Sequence, residues 1–114
     1  MTNVFGAKVR DRPDGAGLAL GALHDPTRRG VLELLRNGEM SVREITDRSI
    51  VTQSAVSQHL RTLREAGLVV ARPDGARRLY SVDRTGLGAV RDWVDSFWDD
   101  ALSAFVAHAE ESGK

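Results

Sequence analysis

One turn signal constrains this chain more than any other feature. Pro73-Asp74-Gly75 supplies the backbone dihedrals and local side-chain bonding of a tight turn. Residues 68–72, Leu-Val-Val-Ala-Arg, have strand composition, and so do residues 77–82, Arg-Arg-Leu-Tyr-Ser-Val. The segment therefore predicts a β-hairpin with an arginine-bearing tip. The pattern on both sides of it is helical, so the chain reads as mainly α with one hairpin.

The helices follow from their start and stop signals. Residues 16–24 carry Leu18, Leu20 and Leu23 and read as a first helix, which Gly17 and Gly21 weaken. Asp25-Pro26 opens a second helix, because Asp caps free amides and Pro suits the first helical position. That helix runs to Asn37-Gly38, with Val31, Leu32, Leu34 and Leu35 facing inward. Ser41 and Glu44 have the spacing of a capping box and open a short third helix, with Val42 and Ile45 as core contacts. Ser49-Ile50-Val51 then makes a turn without the glycine often found at such a place. Thr52 caps a fourth helix whose Val56, Leu60 and Leu63 recur at i, i+4 and i+7, and Gly67 stops it. After the hairpin, Asp83 caps a long helix over about residues 85–111. Val90, Val94, Phe97, Ala101 and Phe105 form its apolar repeat, with Asp92, Asp95, Asp99 and Ser103 opposite. The order is that of a winged helix-turn-helix with five helices and two strands.

Composition sets limits on the chemistry. A chain of 114 residues fits one domain. It contains no cysteine, which excludes disulfides, zinc–thiolate sites and thiol redox chemistry. Residues 1–17 lack an apolar core of signal-peptide length, and no apolar run is long enough to span a bilayer, so a cytoplasmic location is expected. Formal net charge is zero, but residues 1–84 carry 14 Lys and Arg against 10 Asp and Glu, while residues 85–114 carry 2 against 6. The first part would attract polyanions; the tail would not.

The exposed face of the fourth helix has an unusual make-up. Gln53, Ser57 and Arg61 fall at i, i+4 and i+8, with Ser54 and Gln58 beside them, roughly opposite Val56, Leu60 and Leu63. Gln suits adenine edges, Ser donates or accepts, and Arg suits guanine or phosphate. The free amides that follow Thr52 suit a backbone phosphate. The alternative is a merely solvated helix. His59 flanks this face and either touches DNA or covers the edge of the core. Arg77 and Arg78 in the wing are expected to reach phosphates or a minor groove, Arg72 less so, although an exposed hairpin edge also needs charge to discourage aggregation. Tyr80 packs under the wing or binds a phosphate, and Arg28 and Arg29 read as a solvated helix face.

These residues bring a family into view. The stretch 22–29, Ala-Leu-His-Asp-Pro-Thr-Arg-Arg, with Val31 to Leu35 after it, resembles the ArsR/SmtB family of bacterial winged-helix repressors. So do Thr52 to Leu60 followed by Leu63 to Val69, and the hairpin ending Arg77-Arg-Leu-Tyr80. The resemblance covers about residues 16–111. It implies a homodimer that binds double-stranded operator DNA and represses transcription, with Gln53, Ser54, Ser57 and Gln58 contacting the duplex. The family's thiolate metal site is absent here, since residues 39–44 hold no cysteine. Its last-helix site would fall on Asp95, Phe97, His108 and Glu111, and phenylalanine cannot ligate zinc. No metal or other cofactor is expected, and no inducer is identified.

About 27 residues of last helix span roughly 40 Å, longer than a small winged domain covers. Trp93, Phe97, Trp98, Leu102 and Phe105 would stay partly exposed in a monomer. A two-fold interface through Leu18, Val94, Phe97, Trp98, Ala101, Leu102 and Phe105 covers them and places two reading helices about 34 Å apart, on a pseudo-palindromic site. An aromatic cage for a small ligand is another use of the stripe. The expected organisation is a flexible arm at 1–14, a DNA-binding core at 15–84, and a dimerisation helix and tail at 85–114. An enzyme is not expected: Ser57 and His59 point apart, His24 and His108 have no carboxylate partner in sequence, and no phosphate-cradling loop appears. The competing readings are a winged helix used as a protein-interaction module, which would explain the neutral charge, and a metal-responsive repressor using the last helix.

Overall fold

The computed structural model describes residues 15–112. The expected arm at 1–14 lies outside the described residues. The elements are α1 (Gly15–Ala22), α2 (Pro26–Leu34), β1 (Met40–Ser41), α3 (Val42–Asp47), α4 (Gln53–Glu65), β2 (Val69–Asp74), β3 (Arg77–Val82) and α5 (Arg84–Ser112). Five helices surround a hairpin, as the turn and cap signals require.

The caps set the boundaries. The Asp25 carboxylate accepts from the amides of Thr27 at 2.7 Å and Arg28 at 3.3 Å, with Pro26 in the first turn. Ser41 and Glu44 form the reciprocal capping box, at 3.2 Å and 3.0 Å. The Thr52 hydroxyl accepts from the Ala55 amide at 3.1 Å. Gly67, at φ +76°, turns the chain out of α4, and the Leu68 amide closes back on the Leu63 carbonyl at 2.9 Å. Helix α2 stops at Leu34, three residues before the Asn37-Gly38 signal, because the chain tightens into short-range bonds at Leu35 and Arg36.

The sheet has a third strand that sequence reasoning did not include. β1 pairs with β3 antiparallel, Met40 opposite Tyr80 and Ser41 opposite Leu79, giving the order β1-β3-β2. Two residues carry no periodicity, so no pattern could announce them. Their pairing covers the second edge of β3 and ties the hairpin to the start of α3.

The core is built from Val31, Leu35, Ile45, Val56, Leu60, Leu63, Leu68 and Val69, all buried. Helix α1 buries Ala16, Ala19 and Ala22 and leaves Leu18 and Leu20 exposed. Arg28 is half-buried instead of solvated, while Arg29 is exposed as expected, and both also make contacts that sequence does not show. The Arg28 Nε donates to the Ala22 carbonyl at 2.6 Å, and the Arg29 guanidinium donates to the Leu23 and His24 carbonyls at 2.7 Å and 3.0 Å. They close the carbonyl end of α1 from the next helix, a contact that joins residues across a turn.

Helix α5 leaves the body of the domain. Its first turn is fastened where the Gly86 amide donates to the Gly67 carbonyl at 2.9 Å. A Cβ at Gly86 would lie 2.5 Å from that carbonyl oxygen, so no larger residue fits. This joint fixes the start of α5 against the end of α4. From Arg91 to Glu111 every residue is exposed, and the chain extends 68 Å along its longest axis.

Candidate nucleic-acid interface

Helix α4 separates its faces cleanly. Val56, Leu60 and Leu63 have no exposed surface. Thr52, Gln53, Ser54, Ser57, Gln58 and Arg61 are all exposed. The helix therefore has its apolar side fully used inside the chain and presents a face of short or planar hydrogen-bonding groups outward. The Thr52 hydroxyl accepts its own cap bond, which leaves its O–H to donate to a ligand alongside the backbone. Arg61 pairs with Glu65 at 3.1 Å, but both are exposed, and such a pair is weak enough to exchange for another anion. His59 is half-buried at the edge of this face. It stands near the Asp25 cap: partial desolvation pushes the Asp25 carboxyl up, but the Arg28 and Thr27 amides, with Arg28 and His59 beyond them, hold it below its usual range.

The three wing arginines have different partners, a distinction that charge in sequence could not make. Arg72 binds Glu39 through two contacts, at 2.8 Å and 2.5 Å, which pins the hairpin to the chain ahead of β1. That bond holds the Glu39 carboxyl below the ordinary range. Arg77 lies 3.2 Å from Asp74 and 3.6 Å from Glu44. Arg78 makes no ion pair among the described residues. Tyr80 is half-buried and packs against the core, as the packing alternative required.

A cleft of about 640 Å³ joins the two contact regions. Gln53 from α4 and Arg77, Arg78 and Tyr80 from the wing line it, with Arg43 and Glu44 from α3. Arg43 was not singled out in sequence; it sits inside the capping box, where it reads as an ordinary exposed position. It is exposed and, among the described residues, has no ion-pair partner. Glu44 is committed to its cap: the Ser41 amide, ahead of any charge effect, holds its carboxyl below the usual range.

The α5 stripe stands open. Val94, Phe97, Trp98, Leu102 and Phe105 expose between 40% and 70% of their surface, and Leu18 on α1 exposes 45%. Ala101 is exposed among them. Trp93 and Phe97 meet edge to face at 4.9 Å. Asp95, Phe97, His108 and Glu111 lie along this single helix. His108 lies thirteen positions after Asp95, roughly 20 Å of rise, so these groups cannot converge within one chain. Asp95 instead faces Arg91 at 3.6 Å. No helix among the described residues is long and apolar enough to cross a membrane.

Comparison with known proteins places this arrangement. Residues 25–70, from the α2 cap to β2, match the bacterial regulatory protein family called arsR. An HTH-type transcriptional regulator of Mycobacterium tuberculosis is 44% identical over 92 residues, covering 81% of this chain and 86% of that protein. The transcriptional repressor SdpR of Bacillus subtilis is 32% identical over 76 residues, covering 67% of this chain and 84% of its own. Among solved structures, the homodimeric winged helix-turn-helix DNA-binding domain of a possible ArsR-family regulator from Mycobacterium bovis superposes with a TM-score of 0.61. It is 29% identical and covers 86% of this chain and 94% of its own.

Proposed function

Because this chain belongs to the bacterial ArsR family of transcriptional regulators, we propose that α4 is the helix that reads its operator, and that a homodimer presents two such helices to the duplex. The family is one of DNA-binding regulators rather than enzymes, and the B. subtilis relative is a repressor, so the chain acts as a DNA-binding regulator that represses transcription. The observation that carries the reading is the division of α4. Its apolar side is spent inside the chain, while Gln53, Ser54, Ser57 and Gln58 are exposed and their side chains make no hydrogen bond among the described residues.

In this reading the polar face enters the major groove. Gln53 and Gln58 offer paired donors and acceptors to adenine edges, and Ser54 and Ser57 supply short contacts beside them. Arg61 exchanges Glu65 for a phosphate or a guanine. The cleft between α3 and the wing receives the sugar–phosphate ridge, with Arg43 and Arg78 as its cations. His59 supports the helix edge and the Thr52 backbone faces a phosphate. Arg77 contributes less than Arg78, because two carboxylates already hold it.

The dimer rests on the α5 stripe. Isologous pairing through Val94, Phe97, Trp98, Ala101, Leu102 and Phe105, with Leu18 of α1, removes the exposed aromatic surface from water. Two reading helices then address half-sites about one turn of DNA apart, on a pseudo-palindromic operator. An electrophoretic shift with the DNA upstream of the protein's own gene tests the reading. Specific binding that falls steeply with salt is expected, because counterion release drives much of the affinity. A clean dimer that shifts no promoter fragment would favour a protein-interaction module instead.

A further inference from the structure

A cleft of about 550 Å³ lies between α2, the end of β3 and the first turn of α5. It shares no residue with the DNA face or with the α5 stripe. Its apolar wall is Leu23, Leu32, Leu35, Val82 and Leu87, aliphatic throughout. Its volume falls in the range of small-molecule sites. The charged groups at its edge are Arg29, Arg36 and Arg84 against the single acid Glu33.

Those charges are not equivalent. Arg36 and Glu33 bind each other through two contacts at 2.6 Å and 3.0 Å. Arg29 is held by the carbonyls of Leu23 and His24. Arg84, the first residue of α5, has neither an ion pair nor a side-chain hydrogen bond among the described residues. The cleft thus combines an aliphatic wall, a net positive rim and one uncommitted guanidinium. A ligand that satisfies all three has an aliphatic chain and one anionic head.

We propose that this cleft binds an aliphatic carboxylate, its chain against the leucines and its carboxylate on Arg84, and that occupancy changes the affinity of the protein for DNA. The chain gains by leaving water. The head stays at the rim and gains a charge-assisted bond without being buried. A neutral or cationic head gains nothing there. The coupling follows from position. Arg84 and Leu87 share the first turn of α5 with Gly86, whose amide is fastened to the Gly67 carbonyl just past the end of α4. A ligand wedged between α2 and this first turn bears on the joint that sets α5 against the reading helix. The binding site stands on the cleft alone; its regulatory consequence rests on the DNA reading above.

Decanoate is the probe, titrated calorimetrically into the full chain without DNA. The wild type should bind it, and decanol and decyltrimethylammonium should bind at least about tenfold more weakly. Arg84→Gln should weaken decanoate about tenfold, the effect of losing one charge-assisted hydrogen bond, and Arg84→Lys should keep most of the affinity. No binding of decanoate by the wild type, equal binding of the three heads, or unchanged affinity in Arg84→Gln each overturns the site. A second titration measures promoter DNA with and without saturating decanoate. A changed affinity in the wild type that Arg84→Gln abolishes supports the coupling, and an unchanged affinity overturns it. If no DNA binds under either condition, the DNA reading fails, and the calorimetry still decides the site.

Discussion

Helices α4 and α5 are both amphipathic, yet one is finished by its own chain and the other is not. The apolar side of α4 is completely enclosed. The apolar side of α5 ends in exposed tryptophan, phenylalanine and leucine. An enclosed apolar side makes the opposite, polar face available for a ligand, because nothing in the fold needs it. An open apolar side demands a second surface. In the function proposed, the same periodicity serves a reading face in one helix and an interface in the other, and burial separates the two.

Truncating each stripe should sharpen that contrast most. Leu60→Ala removes a side chain with no exposed surface and should cost about 2–5 kcal/mol in denaturant unfolding. Phe105→Ala, at 70% exposed, should leave the fold of a single chain within about 0.5 kcal/mol and act on dimer formation instead. Equal losses at the two positions, with the dimer intact, would break the comparison. Gly86→Ala tests the joint between the helices. Its Cβ would meet the Gly67 carbonyl at 2.5 Å, and the clash should cost about 1–3 kcal/mol and weaken DNA binding along with stability.

Changes on the polar face of α4 should be silent for stability. Gln53→Ala with Ser57→Ala should reduce discrimination between operator and random DNA by about 1–3 kcal/mol per lost base contact, with an unchanged melting temperature. In the wing, Arg78→Ala should shallow the salt dependence of DNA binding by about one ion, and Arg77→Ala by less, because Asp74 and Glu44 already neutralise it. A steeper loss at Arg77 would reverse that assignment.

The smallest effect is acid. Glu44 has its carboxyl held down by the Ser41 amide, so its folded value lies below the ordinary 4.5. A depressed carboxylate contributes stability that is present above the unfolded value and is lost as pH falls through the folded one. Glu44→Ala should therefore flatten the loss of stability below about pH 4.5 relative to wild type, read from melting temperature against pH.

Much of the fold was legible because its signals are local. The Asp25 cap, the Ser41–Glu44 box, the Thr52 cap and the Gly67 stop each depend on residues a few positions apart, and each forms as spelled. What was not legible depends on distance. The two-residue strand at Met40–Ser41 exists only because β3 lies beside it. Arg28 looks like a solvated charge until the end of α1 is brought over it, and Arg29, though exposed, donates to the carbonyls that follow α1. The wing arginines are alike in sequence, and only the positions of Glu39, Glu44 and Asp74 tell Arg72, Arg77 and Arg78 apart. Arg43 joins the candidate DNA face only when α3 and the wing close a cleft around it.

The pairing of two reading helices through α5 is tested most directly by the composition of the DNA complex. Sedimentation of the protein bound to its operator should give two chains per duplex, and a footprint on the same duplex should show two protected patches about 10 base pairs apart, centre to centre. One chain per duplex with a single protected patch would contradict the account.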